Sequence, residues 1–124
     1  MFYIPMQALS QNIAHGGKGR RFKSKPYREY EIKIKAYLKK LHFPSIKPKE
    51  PFYLYFEFGI PYMQDLSNCT KCYEDILCDH LGINDRDVKG IYLRKIECKK
   101  SDCFIRFAIV KSEYKLIELI NKGG

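Results

Sequence analysis

The sequence predicts an α+β domain, a small mixed or antiparallel sheet backed by two main helices. Three stretches carry that prediction: residues 52–60 alternate as a strand, residues 69–81 hold an unbroken apolar face at helical spacing, and residues 87–98 and 103–111 are β-branched and aromatic. A chain of 124 residues has the size of one domain, so residues 1–124 are read as one unit. With 45% hydrophobic and 15% aromatic residues it can bury a core, which excludes an intrinsically disordered class. No apolar run approaches the ~20 residues of a spanning helix. The first residues, MFYIPMQALS, lack the basic flank and long apolar run of a secretory signal. A cytoplasmic protein with no membrane partner is expected.

Residues 2–9 (FYIPMQAL) read as a short strand that Pro5 confines to an edge or a bulge. Residues 10–26 follow as a basic loop with Gly16, Gly17 and Gly19. Lys18, Arg20, Arg21, Lys23 and Lys25 suit phosphate contacts there, with Phe22 as a stacking side chain; the plainer reading is a loop kept in solution by its cations. Residues 27–41 fit both periods, but their length, their Lys/Glu/Ala/Leu content and Pro26 at the start favour a helix. His42-Phe43-Pro44 stops it, and residues 45–51 form a proline-punctuated linker.

In residues 52–60, Phe52, Leu54, Phe56 and Phe58 share one face and Tyr53, Tyr55 and Glu57 the other. Gly59 and Pro61 close the strand. In the next helix Cys69, Cys72, Tyr73, Ile76, Leu77, His80 and Leu81 line the apolar side. Ser67 or Asn68 suits its N-terminus, and Gly82 its C-terminus. Asn68, Lys71, Asp75 and Asp79 fall in a stripe beside the apolar face. The two β-branched runs then read as a hairpin joined through KKSD, and residues 115–122 as a short closing helix.

The net charge of +9 is unevenly divided. Residues 1–50 carry 12 Lys/Arg against 3 Asp/Glu, residues 51–87 carry 2 against 7, and residues 88–124 carry 9 against 4. An acidic middle between basic arms suits a metal-dependent enzyme acting on a polyanion, and equally a basic protein with one solvated acidic helix. Five cysteines are an odd count, and reduced thiols are the default in a chain of this size. Cys69-x2-Cys72 with Cys98-x4-Cys103 can be written as a zinc site. However, the first pair lies on a buried helix face, where free cysteine is common, and His80 on the same face reads as a core histidine.

The acids Asp65, Asp85 and Asp87 instead sit at element boundaries, where carboxylates cap helices, form turns or hold hard cations. The pattern Asp65-Leu-Ser67-Asn68-x2-Lys71-x3-Asp75, then Asn84-Asp85-x2-Val88, then Lys95 resembles the RusA family of Holliday junction resolvases. That family's signature is D-L-D-N-x2-K-x3-D-x-L, a D-D-x2-V/I turn, and a lysine seven residues further on. The likeness is tight over residues 65–95 and looser over the N-terminal half, where Pro5, Asn12, the glycine-containing basic loop and Ser24-x2-Tyr27-Arg28-x-Tyr30 correspond.

The resemblance implies a homodimeric, Mg²⁺- or Mn²⁺-dependent endonuclease that resolves four-way DNA junctions by paired nicks, cytoplasmic and encoded by a prokaryote or a virus. It implies catalytic roles for Asp65, Lys71 and Asp85, with Asp65 and Asp85 as metal ligands and Ser67 and Asp87 as weaker candidates. Asn68, Asp75, Asn84 and Lys95 take supporting positions, and Lys18, Arg20, Arg21, Lys23, Lys25 and Arg28 contact DNA. One departure stands out: Ser67 replaces the second aspartate of D-L-D-N, removing a carboxylate from the site. The alternative is therefore a junction-binding protein with a weakened metal site, and a third reading is a zinc-stabilised nucleic-acid adaptor. A helix of about 14 residues is ~20 Å long, so Asp65 and Asp85 at its two ends meet only if the helix is short or broken, or if two subunits share the site.

Overall fold

Phe52–Ile60 organises the sheet because both of its faces are apolar enough to be covered. Leu54, Phe56 and Phe58 are fully buried on one side, and Tyr55 and Glu57 are 1% exposed on the other. The computed structural model describes residues 1–11, 15–16 and 22–123. In chain order they form β1 (Phe2–Ile4), β2 (His15–Gly16), β3 (Phe22–Lys23), α1 (Lys25–Leu38), β4 (Phe52–Ile60), α2 (Leu66–Leu81), β5 (Val88–Glu97), β6 (Phe104–Val110) and α3 (Glu113–Gly123). Short 3₁₀ turns cover Asp85–Asp87 and Lys100–Asp102. No helix among the described residues is long and apolar enough to cross a membrane.

The main sheet is mixed, in the order β1-β6-β4-β5. β4 runs parallel to β5 and antiparallel to β6, and β1 is antiparallel to β6. β2 and β3 pair separately as a two-stranded ribbon. The α+β class holds, with three helices among the described residues. The expected hairpin between residues 87–98 and 103–111 does not form, because β4 lies between its two arms. The physical reason is burial. β4 needs a neighbour on each edge, whereas β5 has no fully buried residue and suits the rim. The six residues from Cys98 to Cys103 span the two inter-strand spacings, ~10 Å, across the end of β4; the Cys98 amide donates to the Ile60 carbonyl at 3.2 Å on the way. The expected strand at 2–9 is shorter than read, ending at Ile4 before Pro5.

α1 and α2 cover one face of the sheet. Tyr27, Tyr30, Ile34 and Leu38 from α1 and Cys69, Cys72, Tyr73, Ile76 and Leu77 from α2 join Leu54, Phe56, Phe58, Ile105 and Phe107 in one cluster. Tyr73 lies at its centre, edge-on to Phe56, Phe58 and Phe107 at centroid distances of 5.3, 6.0 and 5.4 Å, a favoured aromatic geometry. α3 covers part of the other face, packing Leu116, Leu119 and Ile120 against Tyr55, Tyr92 and Ala108. Ser24 caps α1, its Oγ accepting from the Tyr27 amide at 3.2 Å.

Candidate functional site

α2 runs unbroken for 16 residues, ~24 Å, so its ends do not meet through a short or kinked helix. Gly82, with φ 67° and ψ 30°, ends it in the left-handed conformation. The Ile83 amide then donates to the Cys78 carbonyl and the Gly82 amide to that of Asp79, the paired bonds of a Schellman stop. This turn sends the chain back along the helix. Asn84 caps the 3₁₀ turn, accepting from the Arg86 amide at 3.0 Å, and so fixes the position of Asp85.

Asp85 lands on Lys71. Lys71 Nζ lies 2.6 Å from Asp85 Oδ2, 3.0 Å from Asp75 Oδ1 and 3.8 Å from Glu74 Oε1. Ligand oxygens of Glu74, Asp75 and Asp85 all lie within 4.8 Å of one another, the one group of three or more His, Cys, Asp or Glu among the described residues so placed. The spacing on α2 explains two members, since residues three and four apart share a helix surface. The backward turn supplies the third.

Electrostatics polarise the group. The hydrogen bond from Lys71 holds the Asp85 carboxyl below its usual range, and the same bond, with Asp75 beside it, raises the Lys71 ammonium well above its usual value. Burial pushes Glu74 up, with the neighbouring Asp85 and Asp75 adding to the effect and Lys71 opposing it. The donor set is all oxygen, as Mg²⁺ and Mn²⁺ prefer, so these residues fit a hard divalent cation. Lys71 already neutralises part of the cluster.

The other predicted residues divide into two sets. Asp65 is the N-cap of α2 and makes no side-chain cap bond; Asn68 Nδ2 approaches its Oδ2 at 3.4 Å. It lies six residues before Lys71, roughly a turn and a half away, and is not a member of the carboxylate cluster. Ser67 is exposed one turn before Lys71. Lys95 donates to the Tyr62 and Gln64 carbonyls at 2.8 and 2.7 Å, tying down the turn that leads to Asp65. Asp65 and Asn68 line a cleft of about 580 Å³ with Gln7, Met63 and Lys100. Asp87 lines a separate hollow beside Asn84 and Arg86.

Asp79 is turned to other work. It pairs with Lys35 at 2.5 Å and pins α2 to α1. Lys18, Arg20 and Arg21 lie outside the described residues, as does the Phe22 side chain. Lys23 pairs with Glu31 at 3.3 Å, while Lys25 and Arg28 are exposed in the first turns of α1. His80 is half-buried, edge-on to Phe43 at 6.4 Å. Cys69, Cys72 and Cys78 are buried free thiols, and Cys98 and Cys103 face each other at 3.8 Å. The two cysteine pairs do not converge into a group that could share an ion.

Sequence reasoning missed Glu74 and Gln64. Glu74 sits three residues after Lys71, a spacing that could have marked it. Gln64 gave no such signal, because its partners come from distant parts of the chain: it accepts from Gln7 Nε2 at 2.6 Å and donates to the Ala8 carbonyl at 2.7 Å. The chain matches no protein-family model and no curated protein.

Proposed function

We propose that this protein is a divalent-metal-dependent endonuclease acting on branched DNA as a homodimer, with four-way junctions as the substrate. The observation that carries the reading is the return of Asp85 to Lys71, which assembles three carboxylates and a lysine from segments 14 residues apart. Asp75 and Asp85, with Glu74 behind them, would hold the cation; when bound, it supplies an activated water and neutralises developing charge on a phosphodiester. Lys71 places a fixed positive charge where the scissile phosphate gains negative charge. Asp65, which lines the cleft shared with Asn68 and Met63, would orient the substrate strand or complete the site of a second subunit. A two-fold assembly matches a substrate that needs two equivalent nicks, and the +9 charge favours a polyanion.

The test is a synthetic four-way junction incubated with Mg²⁺ or Mn²⁺. Paired nicks are expected from the native protein, with Lys71→Met and Asp85→Asn each slower by about a hundredfold or more. One observation favours a second reading, a junction-binding protein that does not cut: Ser67 brings a hydroxyl where a carboxylate would add to the site, and Lys71 already balances Asp75 and Asp85. Binding without nicking in either metal, with cutting restored by Ser67→Asp, would establish it.

A further inference from the structure

We infer that Met63, with Tyr62 beside it, is an apolar wedge that enters between base steps of branched DNA next to Asp65. The inference rests on the proposed reading that branched DNA is the ligand.

Three observations converge on this tip. The first is exposure: Met63 is 85% exposed, more than any other large apolar side chain among the described residues, and its neighbour Tyr62 is 72% exposed. The second is rigidity. Lys95 binds the carbonyls on both sides of Met63 with one ammonium group. The Gln64 amide closes the turn onto the Pro61 carbonyl at 3.0 Å. The Gln64 side chain is buttressed by Gln7, Ala8 and Cys69, the last contact at 3.0 Å. The Gln64–Pro61 bond is that of an ordinary turn; the Lys95 ammonium and the Gln64 side chain add bonds that hold the tip in place.

The third observation is position. The residue after Gln64 is Asp65, and Met63 and Asp65 line the same cleft of about 580 Å³. Lys100 also lines that cleft, and Lys95 Nζ lies 5.7 Å from the Tyr62 ring centre. Cations around an apolar tip complement a phosphate backbone on either side of a base step. Apolar side chains such as Met and Phe act in this way in proteins that kink DNA. Unstacking is easiest where pairing is already interrupted, so the wedge would favour a branch point over a continuous duplex. It would read shape rather than base sequence, and the cleft gives room for a displaced nucleotide.

The experiment uses four-way junctions with 2-aminopurine either at the branch point or within an arm, in EDTA so that no strand is cut. The native protein is expected to raise branch-point fluorescence severalfold and leave the arm signal unchanged. The double variant Tyr62→Ala/Met63→Ala should lose that rise and bind the junction roughly tenfold more weakly, with linear duplex binding unaltered. Lys95→Met, which keeps both side chains but frees their backbone, should give an intermediate rise. Junction binding with the same fluorescence in the double variant overturns the wedge and leaves the proposed function standing. A fall in the double variant's mass from dimer to monomer also overturns it and makes the tip a contact between copies of the chain. Absence of junction binding by the native protein overturns the proposed function itself, and the wedge with it.

Discussion

Asp85 and Glu74, two of the three carboxylates around Lys71, depend on pH in opposite directions. Asp85 has a carboxyl lowered by the Lys71 hydrogen bond. Its contribution to stability is therefore present above about pH 4, the unfolded value, and is lost as pH falls through the lower folded value. Glu74 has a carboxyl raised by burial. Its folded form is favoured below its unfolded value, and that advantage is lost as pH rises through the folded one. Asp85→Asn should thus destabilise the protein at neutral pH and cost progressively less on acidification. Glu74→Gln should stabilise it at neutral pH and lose that gain on acidification, while Lys71 keeps Asp75 and Asp85. Urea unfolding from pH 3 to 8 would show the two differences sloping in opposite directions; parallel slopes would reject this assignment of the pair.

At the scale of elements, Gly59 explains how β6 lies against β4. Gly59 pairs with Phe104 across the two strands, and a methyl group added at position 59 would overlap the Phe104 ring. That ring is stacked on Tyr3 at 5.5 Å and has Arg106 5.2 Å above it, so it has little freedom to withdraw. Gly59→Ala should cost about 1–3 kcal/mol, measurable by thermal or denaturant melting; a neutral substitution would mean that the ring moves aside at no cost. The elements themselves were largely legible. The face of α2 from Cys69 to Leu77, the alternation in β4 and the stop at Gly82 are local patterns, and each element formed where its pattern lay. Strand order was not legible, because nothing local in β5 and β6 says that β4 comes between them. The same holds within the site. The i, i+4 pair Lys71–Asp75 could be read from spacing, whereas the return of Asp85 depends on how sharply residues 82–84 turn.

Across the whole molecule, one buried charge joins the sheet to the last helix. Glu57 is 1% exposed, accepts from Arg106 at 2.8 Å and from the Tyr55 hydroxyl at 2.5 Å, and lies 3.7 Å from Arg94. Arg94 also donates to the Gly123 carbonyl at 3.0 Å, at the end of α3. Removing Arg106 would leave the buried carboxylate with only Tyr55 and the more distant Arg94; because the Arg106 side chain is part exposed, Arg106→Ala should destabilise by about 1–3 kcal/mol. Replacing both partners with leucine should recover most of that loss. If the double substitution is as costly as the single one, the damage comes from packing rather than from an uncompensated charge. Pattern reasoning placed Glu57 on the face of β4 opposite Phe56 without giving its arginine partners, which come from β5 and β6.

The pairing of β1 with β6 has a consequence for how the protein is made. Phe2 sits opposite Phe107 and Ile4 opposite Ile105, so β1 has its only described partner in β6, the last strand of that sheet to be made. β4 likewise lacks its antiparallel neighbour until residues 104–110 emerge. Long-range pairings of this kind are slow to close, and until they close the apolar edge of β4 is open to other chains. Residues 104–110 must therefore have emerged before the sheet can close, and until then the most apolar strand of the nascent chain is its greatest hazard.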